Sequence, residues 1–274
     1  MSHSPAIAVC SWSLRAANPA ELVERIRATG LSAVQLALTP CAESPAEWGT
    51  CHQALRAAGI EIVSGMLATV GEDYSTIEAI ARTGGVRPDA TWPTTRERAA
   101  KVAGVARAVG VRLVTFHAGF LPHEANDPER ARMIGRLGEI ASLFAGHGIA
   151  IAFETGQEPA ETLVECLEEL HHPSIGVNFD PANMLLYGSG DPIDAIRRLA
   201  PWVRQVHVKD ALPSGRAGEW GSEVPVGAGA VDWPRFLAEV ARCPHRPRLV
   251  IEREAGEQRV ADIRTAAELL ARLR

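Results

Sequence analysis

The sequence has few cysteines, and no two of them are closely spaced. The count is odd, no C-x-x-C pair occurs, and the residues are scattered along the chain: Cys10, Cys41, Cys51, Cys166 and Cys243. This pattern argues against a disulfide framework and indicates the cytoplasm as the compartment. The stretch "MSHSPAIAVCSW" lacks a basic flank, a long apolar region and a cleavage site, and no apolar run is long enough to span a bilayer. We therefore expect neither export nor membrane insertion.

An excess of positive charge is also missing. Lysine and arginine number 28 against 33 aspartates and glutamates, so the formal net charge is -5. Without a broad basic surface, nucleic acid is a poor candidate partner, and a small molecule fits better. With 274 residues, of which 46% are hydrophobic, the chain can bury a large core as one large domain or two small ones.

Short apolar runs alternate with longer segments of helical period from one end of the chain to the other. We predict eight strands, ending at or near Trp12, Leu38, Leu67, His117, Glu154, Asp180, His207 and Glu252. About eight helices lie between them, in segments such as "PAELVERIRATG" and "DPERARMIGRLGEIASLFAGHG", which start with acids and stop at glycine. This size and rhythm predict an α/β protein, a single-domain (β/α)8 TIM barrel over residues 1–274. A doubly wound open sheet is the alternative, but no G-x-G-x-x-G follows the first strand.

Two long Gly/Pro-rich segments follow predicted strands three and seven. They read "GVRPDATWP" and "ALPSGRAGEWGSEVPVGAGAVDWP", and we interpret both as loops. In a barrel both emerge on the C-terminal face, where active sites are built.

The last four predicted strands end on potential metal ligands: Glu154, Asp180, His207 and Glu252. Side chains alternate along a strand, so the valines of "VHVKD" face one side, and His207 and Lys209 face the other. Three carboxylates and an imidazole at one barrel mouth would repel one another without a cation, which predicts a divalent metal. Mn²⁺ is our first choice, and Co²⁺, Zn²⁺ and Mg²⁺ also suit the oxygen and nitrogen set. The alternative is that each residue is a helix cap or a satisfied polar residue at the start of a loop.

With these residues in place, the chain resembles the sugar phosphate isomerase/epimerase family, the xylose isomerase-like TIM barrels that include ketose 3-epimerases and inosose dehydratase. The motifs are "FHAGFLP", "FETGQE", "VNFDPANM", "VHVKDA", "WGSEVPVGAGAVDW" and "VIEREAG". The resemblance implies a metal held by the same four residues. The family also contains DNA-repair endonucleases with several zinc ions, but these use more histidines, and the acidic charge disfavours DNA. In "DPAN" this chain has Asn183 where ketose 3-epimerases tend to have a histidine that contacts substrate.

From these features we expect an isomerase or epimerase of a sugar, keto-sugar or related polyol that proceeds through a metal-stabilised enediolate. Glu154 and Glu252 would act as acid and base on opposite faces of one carbon. Candidate substrate-binding residues are His117, Asn183, Lys209 and Trp12. A lyase or dehydratase acting on an inosose-like or keto-glycoside substrate is the first alternative, and a barrel that binds metal or sugar without catalysis is another. A homo-oligomer is plausible.

Several of these residues also have a purely structural interpretation. His117 could be a hydrogen-bonded core residue, and Lys209 could form a salt bridge. Trp12, Trp92 and Trp220 could either stack on a sugar ring or pack the barrel mouth. Gly227 and Gly229 could present amides to a phosphate or simply form turns.

Overall fold

Eight parallel strands close into a barrel. The computed structural model describes residues 7–216 and 218–273, so the first six residues of "MSHSPAIAVCSW", on which the expectation about export was based, lie outside the described residues. The barrel strands are β1 (Ala8–Cys10), β2 (Ala33–Ala37), β3 (Glu61–Met66), β4 (Leu113–Phe116), β5 (Ala150–Glu154), β6 (Ile175–Phe179), β7 (Val203–Val208) and β10 (Arg248–Ile251). Two further strands, β8 (Asp210–Leu212) and β9 (Ser222–Val224), form a separate pair. Strands β1 to β7 pair in sequence order, and β10 closes the ring between β7 and β1. The predicted TIM barrel is confirmed.

Helices surround the barrel. They are α1 (Pro19–Ala28), α2 (Leu38–Glu43), α3 (Pro45–Trp48), α4 (Cys51–Ala57), α5 (Ile77–Thr83), α6 (Trp92–Val109), α7 (Pro128–Ala145), α8 (Ala160–Leu170), α9 (Pro181–Tyr187), α10 (Pro192–Leu199), α11 (Trp233–Val240) and α12 (Arg259–Leu273), with a 3₁₀ turn over Trp12–Leu14. Several begin with a side-chain cap followed by proline: Asn18 caps α1, and Asp127 caps α7. Over residues 7–216 and 218–273, no helix combines the length and the apolar character needed to cross a membrane.

The two faces of the barrel strands bury different chemistry. Outward-facing residues such as Val34, Phe153 and Val206 are fully buried against the helices and belong to one large apolar core. Each such side chain contributes roughly 1.5–3 kcal/mol by leaving water. The inward face instead carries a buried polar layer: Gln35, Ser64, Thr115, Asn178 and Gln205. This layer lies directly beneath the C-terminal mouth and connects strands that are far apart in sequence.

The connections differ from the sequence interpretation in three ways. The described residues contain twelve α-helices rather than about eight, because the connections after β2, β3 and β6 each hold more than one. The loop predicted after strand seven contains the antiparallel pair β8–β9. Both "TWP" and "DWP" start helices, α6 and α11, because proline in the first helical turn needs no hydrogen-bond partner for its nitrogen.

Strand ends were predicted slightly too late in the first half of the barrel. β1, β2 and β3 stop at Cys10, Ala37 and Met66, one or two residues before the predicted ends. The residues beyond are still buried and apolar, as Leu38 and Leu67 show, so an apolar run alone does not mark where strand pairing stops.

Candidate metal centre and substrate cavity

Four side chains converge at the C-terminal mouth of the barrel. They come from the last residue of β5, the residue after β6, the body of β7 and the residue after β10: Glu154, Asp180, His207 and Glu252. One ligand-type atom from each lies within 4.8 Å of all the others. His207 Nδ1 is 3.3 Å from Glu154 Oε1, 3.5 Å from Glu252 Oε2 and 3.9 Å from Asp180 Oδ2. All four residues are buried, with at most 3% of the surface of any of them exposed.

Asp180 divides its two carboxylate oxygens between two tasks. Oδ1 accepts the backbone N–H groups of Ala182 and Asn183, at 2.8 and 3.0 Å, and so caps α9. Oδ2 is buried, has no hydrogen-bond partner in the described chain and lies 3.9 Å from both His207 Nδ1 and Lys209 Nζ. A buried anionic oxygen without a partner is costly. The cap interpretation and the ligand interpretation are therefore both compatible with this residue.

The orientation of His207 depends on Gln35 of β2. His207 Nε2 lies 2.8 Å from Gln35 Oε1, and Gln35 Nε2 donates in turn to Thr115 Oγ1 at 2.8 Å and to the Gly65 carbonyl at 3.3 Å. With its amide donating to those two acceptors, Gln35 presents only its oxygen to His207 and so favours the tautomer protonated on Nε2, although the Asn178 amide nitrogen also lies 3.1 Å from that atom. In that tautomer the lone pair lies on Nδ1, which faces the carboxylates and has no hydrogen-bond partner among the described residues. This is the arrangement that a metal-binding histidine needs.

The two glutamates are held by different donors. Glu154 accepts the side-chain amides of Asn183 at 3.0 Å and Asn178 at 3.3 Å. Glu252 accepts the Trp12 indole N–H at 2.7 Å and the Lys209 ammonium at 2.9 Å. Each carboxylate is thus fixed from its own side of the barrel.

The carboxylates of the cluster favour positive charge between them. Burial raises the pKa of Asp180 well above its ordinary value. Burial also opposes charge on His207, yet Cys10, Glu154 and Glu252 raise the pKa of His207 well above its usual range. Because burial raises the pKa of the Cys10 thiol as well, that group is neutral, and the carboxylates are the charges that favour the imidazolium. Without a metal ion, the carboxylates therefore favour a protonated His207 between them.

Lys209 lies beside the cluster as a buried cation. Its Nζ contacts Glu252 at 2.9 Å, Glu254 at 2.5 Å and Asn183 Oδ1 at 3.4 Å. Burial opposes its charge, but the two glutamates raise its pKa well above the ordinary value. Burial likewise opposes ionisation of Glu252, whose pKa is nevertheless held well below the usual range by Lys209 and His207. The salt-bridge interpretation of Lys209 is correct, and the residue also lines the cavity above.

A cavity of ≈ 630 Å³ opens above the cluster. It is lined by all four predicted substrate-binding residues and by Trp220: Trp12, His117, Asn183, Lys209 and Trp220. His117 Nε2 is 3.8 Å from Glu154 Oε1. Trp92 is not among the lining residues and packs instead under the Arg136 guanidinium, 5.2 Å from its ring centroid, so the stacking interpretation is wrong for this tryptophan.

The backbone amides of Gly227 and Gly229 already bind an anionic group of the same chain, the Asp210 carboxylate. Their N–H groups donate to Asp210 Oδ2 at 2.8 and 3.2 Å, and the Trp233 indole donates to the same oxygen at 2.9 Å. A Cβ on Gly229 would overlap the Asp210 carboxylate, so this close approach requires glycine. The idea that these amides bind a phosphate is therefore wrong. They fasten the segment after β9 to the start of β8.

Sequence reasoning missed several groups around the site. Gln35 is the single polar residue in an apolar strand, and this isolated polar position could have indicated that its side chain has a partner inside the barrel. Cys10 lies 3.6 Å from His207 Nε2, and its sulfur forms a second close group of possible metal ligands with His207 and Glu252. The aromatic residues Tyr74 and Tyr187 line the cavity, yet nothing in their local sequence indicates this.

Solved structures share the fold over nearly the whole chain. A xylose isomerase domain protein from Planctomyces limnophilus is 33% identical, with a TM-score of 0.88, over 99% of this chain and 98% of that one. The probable 3-DHS dehydratase AsbF from Bacillus anthracis has a TM-score of 0.73 at 18% identity over 97% and 99% of the two chains. L-ribulose 3-epimerase has a TM-score of 0.73 at 14% identity over 98% and 94%. The last two likenesses support the fold alone.

Sequence comparisons identify a curated relative and a family. The uncharacterized protein YihM of Escherichia coli K12 is 33% identical over 116 residues, which is 38% of this chain and 35% of YihM. The match thus spans about a third of the length of that curated relative. A sequence profile of the family described as "Xylose isomerase-like TIM barrel" matches residues 23–273. The chain belongs to the xylose isomerase-like TIM barrel family.

Proposed function

We propose that this protein is a divalent-metal-dependent isomerase or epimerase of a sugar, keto-sugar or related polyol, with Glu154 and Glu252 as its acid/base pair. One observation carries the proposal. Two buried glutamates, from strands three positions apart in the ring, reach the same His207 Nδ1 at 3.3 and 3.5 Å, and each is hydrogen-bonded to a residue that lines the cavity. Such a pair can serve both faces of one substrate carbon.

The residues present fit a divalent cation. Asp180 Oδ2 and His207 Nδ1 are buried atoms without hydrogen-bond partners in the described chain, and both point at the same small region. The set of three carboxylates and one imidazole suits Mn²⁺, Co²⁺, Zn²⁺ or Mg²⁺, and we propose Mn²⁺ bound by Glu154, Asp180, His207 and Glu252. The ion would supply Lewis-acid polarisation of a substrate carbonyl and its neighbouring hydroxyl.

The remaining chemistry belongs to the chain. One glutamate removes the proton next to the carbonyl, and the other returns a proton to the opposite face of the same carbon for epimerisation. Return to the neighbouring carbon gives aldose–ketose isomerisation. A positioned acid or base of this kind contributes about 10²–10⁴-fold in rate. Asn178 and the indole of Trp12 hold the two carboxylates, one each, in the orientation needed for transfer.

Asn183 and Lys209 orient the substrate in this proposal. Asn183 donates to Glu154 and accepts from Lys209, so it links the two sides of the site at distances of 3.0 and 3.4 Å. Both residues line the cavity, together with His117. Lys209 offers a positive charge to a developing oxyanion, and His117 offers a ring nitrogen near Glu154 to a substrate hydroxyl.

The test combines metal analysis with proton exchange. Purified protein is incubated with a panel of ketoses and keto-polyols in D₂O, and deuterium at carbon is followed by mass spectrometry. We expect about one bound divalent ion per chain and exchange at one carbon. Glu154→Gln and Glu252→Gln should each lose at least 10²-fold in exchange rate, whereas Glu257→Gln, an 87% exposed side chain, should lose nothing. Full activity in both site variants would refute the acid/base pair.

A lyase or dehydratase acting on an inosose-like or keto-glycoside substrate is the second candidate. The likeness of the probable 3-DHS dehydratase to this fold favours it, because dehydration can begin with the same proton abstraction. The D₂O experiment separates the two by mass. An epimerase or isomerase returns a product of unchanged mass apart from deuterium, and a dehydratase returns one that has lost water. Bound metal without exchange into any substrate would instead favour a non-catalytic binding barrel.

A further inference from the structure

The cavity above the four-residue cluster has more room and more apolar surface than a single sugar ring uses. Its ≈ 630 Å³ lies within the range of roughly 300–1,000 Å³ that accommodates drug-sized ligands. Polar residues lie at the base, whereas Pro40, Met66 and Leu186 contribute to the walls. We propose that the substrate is an uncharged keto-sugar derivative with a flat apolar substituent, such as an aryl glycoside that carries a ketone in its sugar ring. This inference rests on the function proposed above and specifies its substrate class.

One wall is built to receive a flat group. The rings of Tyr187 and Trp220 meet edge to face with centroids 4.6 Å apart, and Phe120 supports Tyr187 from 5.7 Å. Tyr187 is the last residue of α9, the helix capped by Asp180, so this wall is directly connected to the metal cluster. Tyr74 adds a further aromatic side chain to the cavity and is 44% exposed. Aromatic faces stack on aryl groups and on the apolar faces of sugars.

The same wall has an unused hydrogen-bond donor. Trp220 Nε1 is buried and has no partner in the part of the chain that the structure describes. Among the cavity-lining residues, Glu72 Oε1 is likewise buried without a partner. Buried polar groups are normally paired, so a donor and an acceptor in one cavity point to a ligand with hydroxyl groups.

The charge of the cavity disfavours an anionic ligand. Its lining includes the carboxylates of Glu72, Glu223 and Glu254 and one ammonium, that of Lys209, and Glu223 is itself paired with Arg253 behind the lining. Lys209 is already engaged by two glutamates, and no arginine is among the described lining residues. A phosphate group would therefore meet the Glu72 carboxylate and an already paired Lys209, without the arginine fork that usually binds it. The proposed substrate therefore carries no phosphate group.

Calorimetry with matched glycosides tests the inference on the metal-loaded protein. Methyl and phenyl glycosides are compared in the gluco, galacto, manno and allo configurations, together with the 6-phosphate of each phenyl glycoside. In at least one configuration the phenyl glycoside should bind roughly tenfold more tightly than its methyl partner, and its 6-phosphate should bind more weakly. Trp220→Ala should abolish the phenyl preference. Trp92→Ala is the control, because that tryptophan packs on Arg136 and should leave the preference intact.

The inference is overturned if no phenyl glycoside binds more tightly than its methyl partner, or if the 6-phosphates bind best. These outcomes are independent of catalysis. Deuterium exchange with ketoses but no phenyl preference would refute only the substrate class. A phenyl preference that depends on Trp220, with no exchange into any substrate, would refute the catalytic function and leave the cavity assignment standing.

Discussion

Replacement of Gln35 by leucine tests how the protein prepares His207 for a metal. Gln35 is fully buried, and its Oε1 is the acceptor that lies 2.8 Å from His207 Nε2. Leucine is similar in size but offers no acceptor, so the ring could carry its proton on either nitrogen and rotate. Loss of such an outer partner typically costs 10–100-fold in metal affinity. We therefore expect a loss of about 1.4–2.8 kcal/mol in binding free energy.

The same variant should also lower the stability of the metal-free protein. Leucine leaves the Thr115 hydroxyl and the Gly65 carbonyl without the amide that now pairs with them. Each orphaned buried group costs about 1–3 kcal/mol. Mn²⁺ titration by calorimetry measures the first effect, and urea unfolding in the presence of a chelator measures the second.

Gln205→Leu is the matched control. Gln205 lies in the same polar layer, is 1% exposed and bonds to Ser64 and Asn178 rather than to a candidate ligand. It should lose stability to a similar degree and keep most of its metal affinity. If Gln35→Leu and Gln205→Leu bind Mn²⁺ equally well, the proposed control of the His207 tautomer is wrong.

Three further substitutions probe other parts of the site. Lys209→Met leaves the buried Glu252 carboxylate without its cation and should cost about 3–5 kcal/mol of unfolding free energy; an unchanged urea midpoint would contradict this. Asp210→Asn removes the charge that accepts the Trp233 indole and nearby amides, so limited proteolysis should cut the segment around residues 213–230 faster than in the parent protein, and equal rates would count against the anchor. Burial raises the pKa of Glu158 to about 8, above its value in the unfolded chain. The stability contribution of protonated Glu158 is therefore complete below the unfolded pKa and is lost as pH rises through about 8. Glu158→Gln should accordingly melt higher than the parent near pH 9 and not near pH 5, and a Tm difference independent of pH would refute this.

The positions of the four candidate ligands followed from the sequence because they depend on local rules. In a closed parallel barrel, strands end on one face, and alternation along β7 puts His207 on the side opposite Val206 and Val208. Both valines are buried in the outer core, as this alternation requires. Glu154 and Glu252 could be identified because each directly follows an apolar run that forms a strand.

Contacts between residues far apart in the chain could not be predicted from local sequence patterns. Gln35 and His207 are separated by 172 residues, and they meet only because β10 and β1 close the ring between them. Nothing near Gln35 specifies that its amide would face an imidazole. The same holds for tryptophans, since Trp92 and Trp220 both lie in Gly/Pro-rich segments of similar appearance. Trp92 opens a helix and packs outward, whereas Trp220 lies between β8 and β9 and reaches the cavity.

Asp180 shows why the two interpretations of a strand-end acid should not be treated as rivals. The cap holds Oδ1 against two backbone amides of α9, and this fixes the carboxylate plane. Because the plane is fixed, Oδ2 can remain directed at His207 without a hydrogen bond of its own. The helix that follows also carries Asn183 to Glu154 and Tyr187 to the cavity wall. A single cap therefore positions a ligand oxygen, a polar contact and an aromatic surface, which links the substrate proposed for the cavity to the metal proposed for its base.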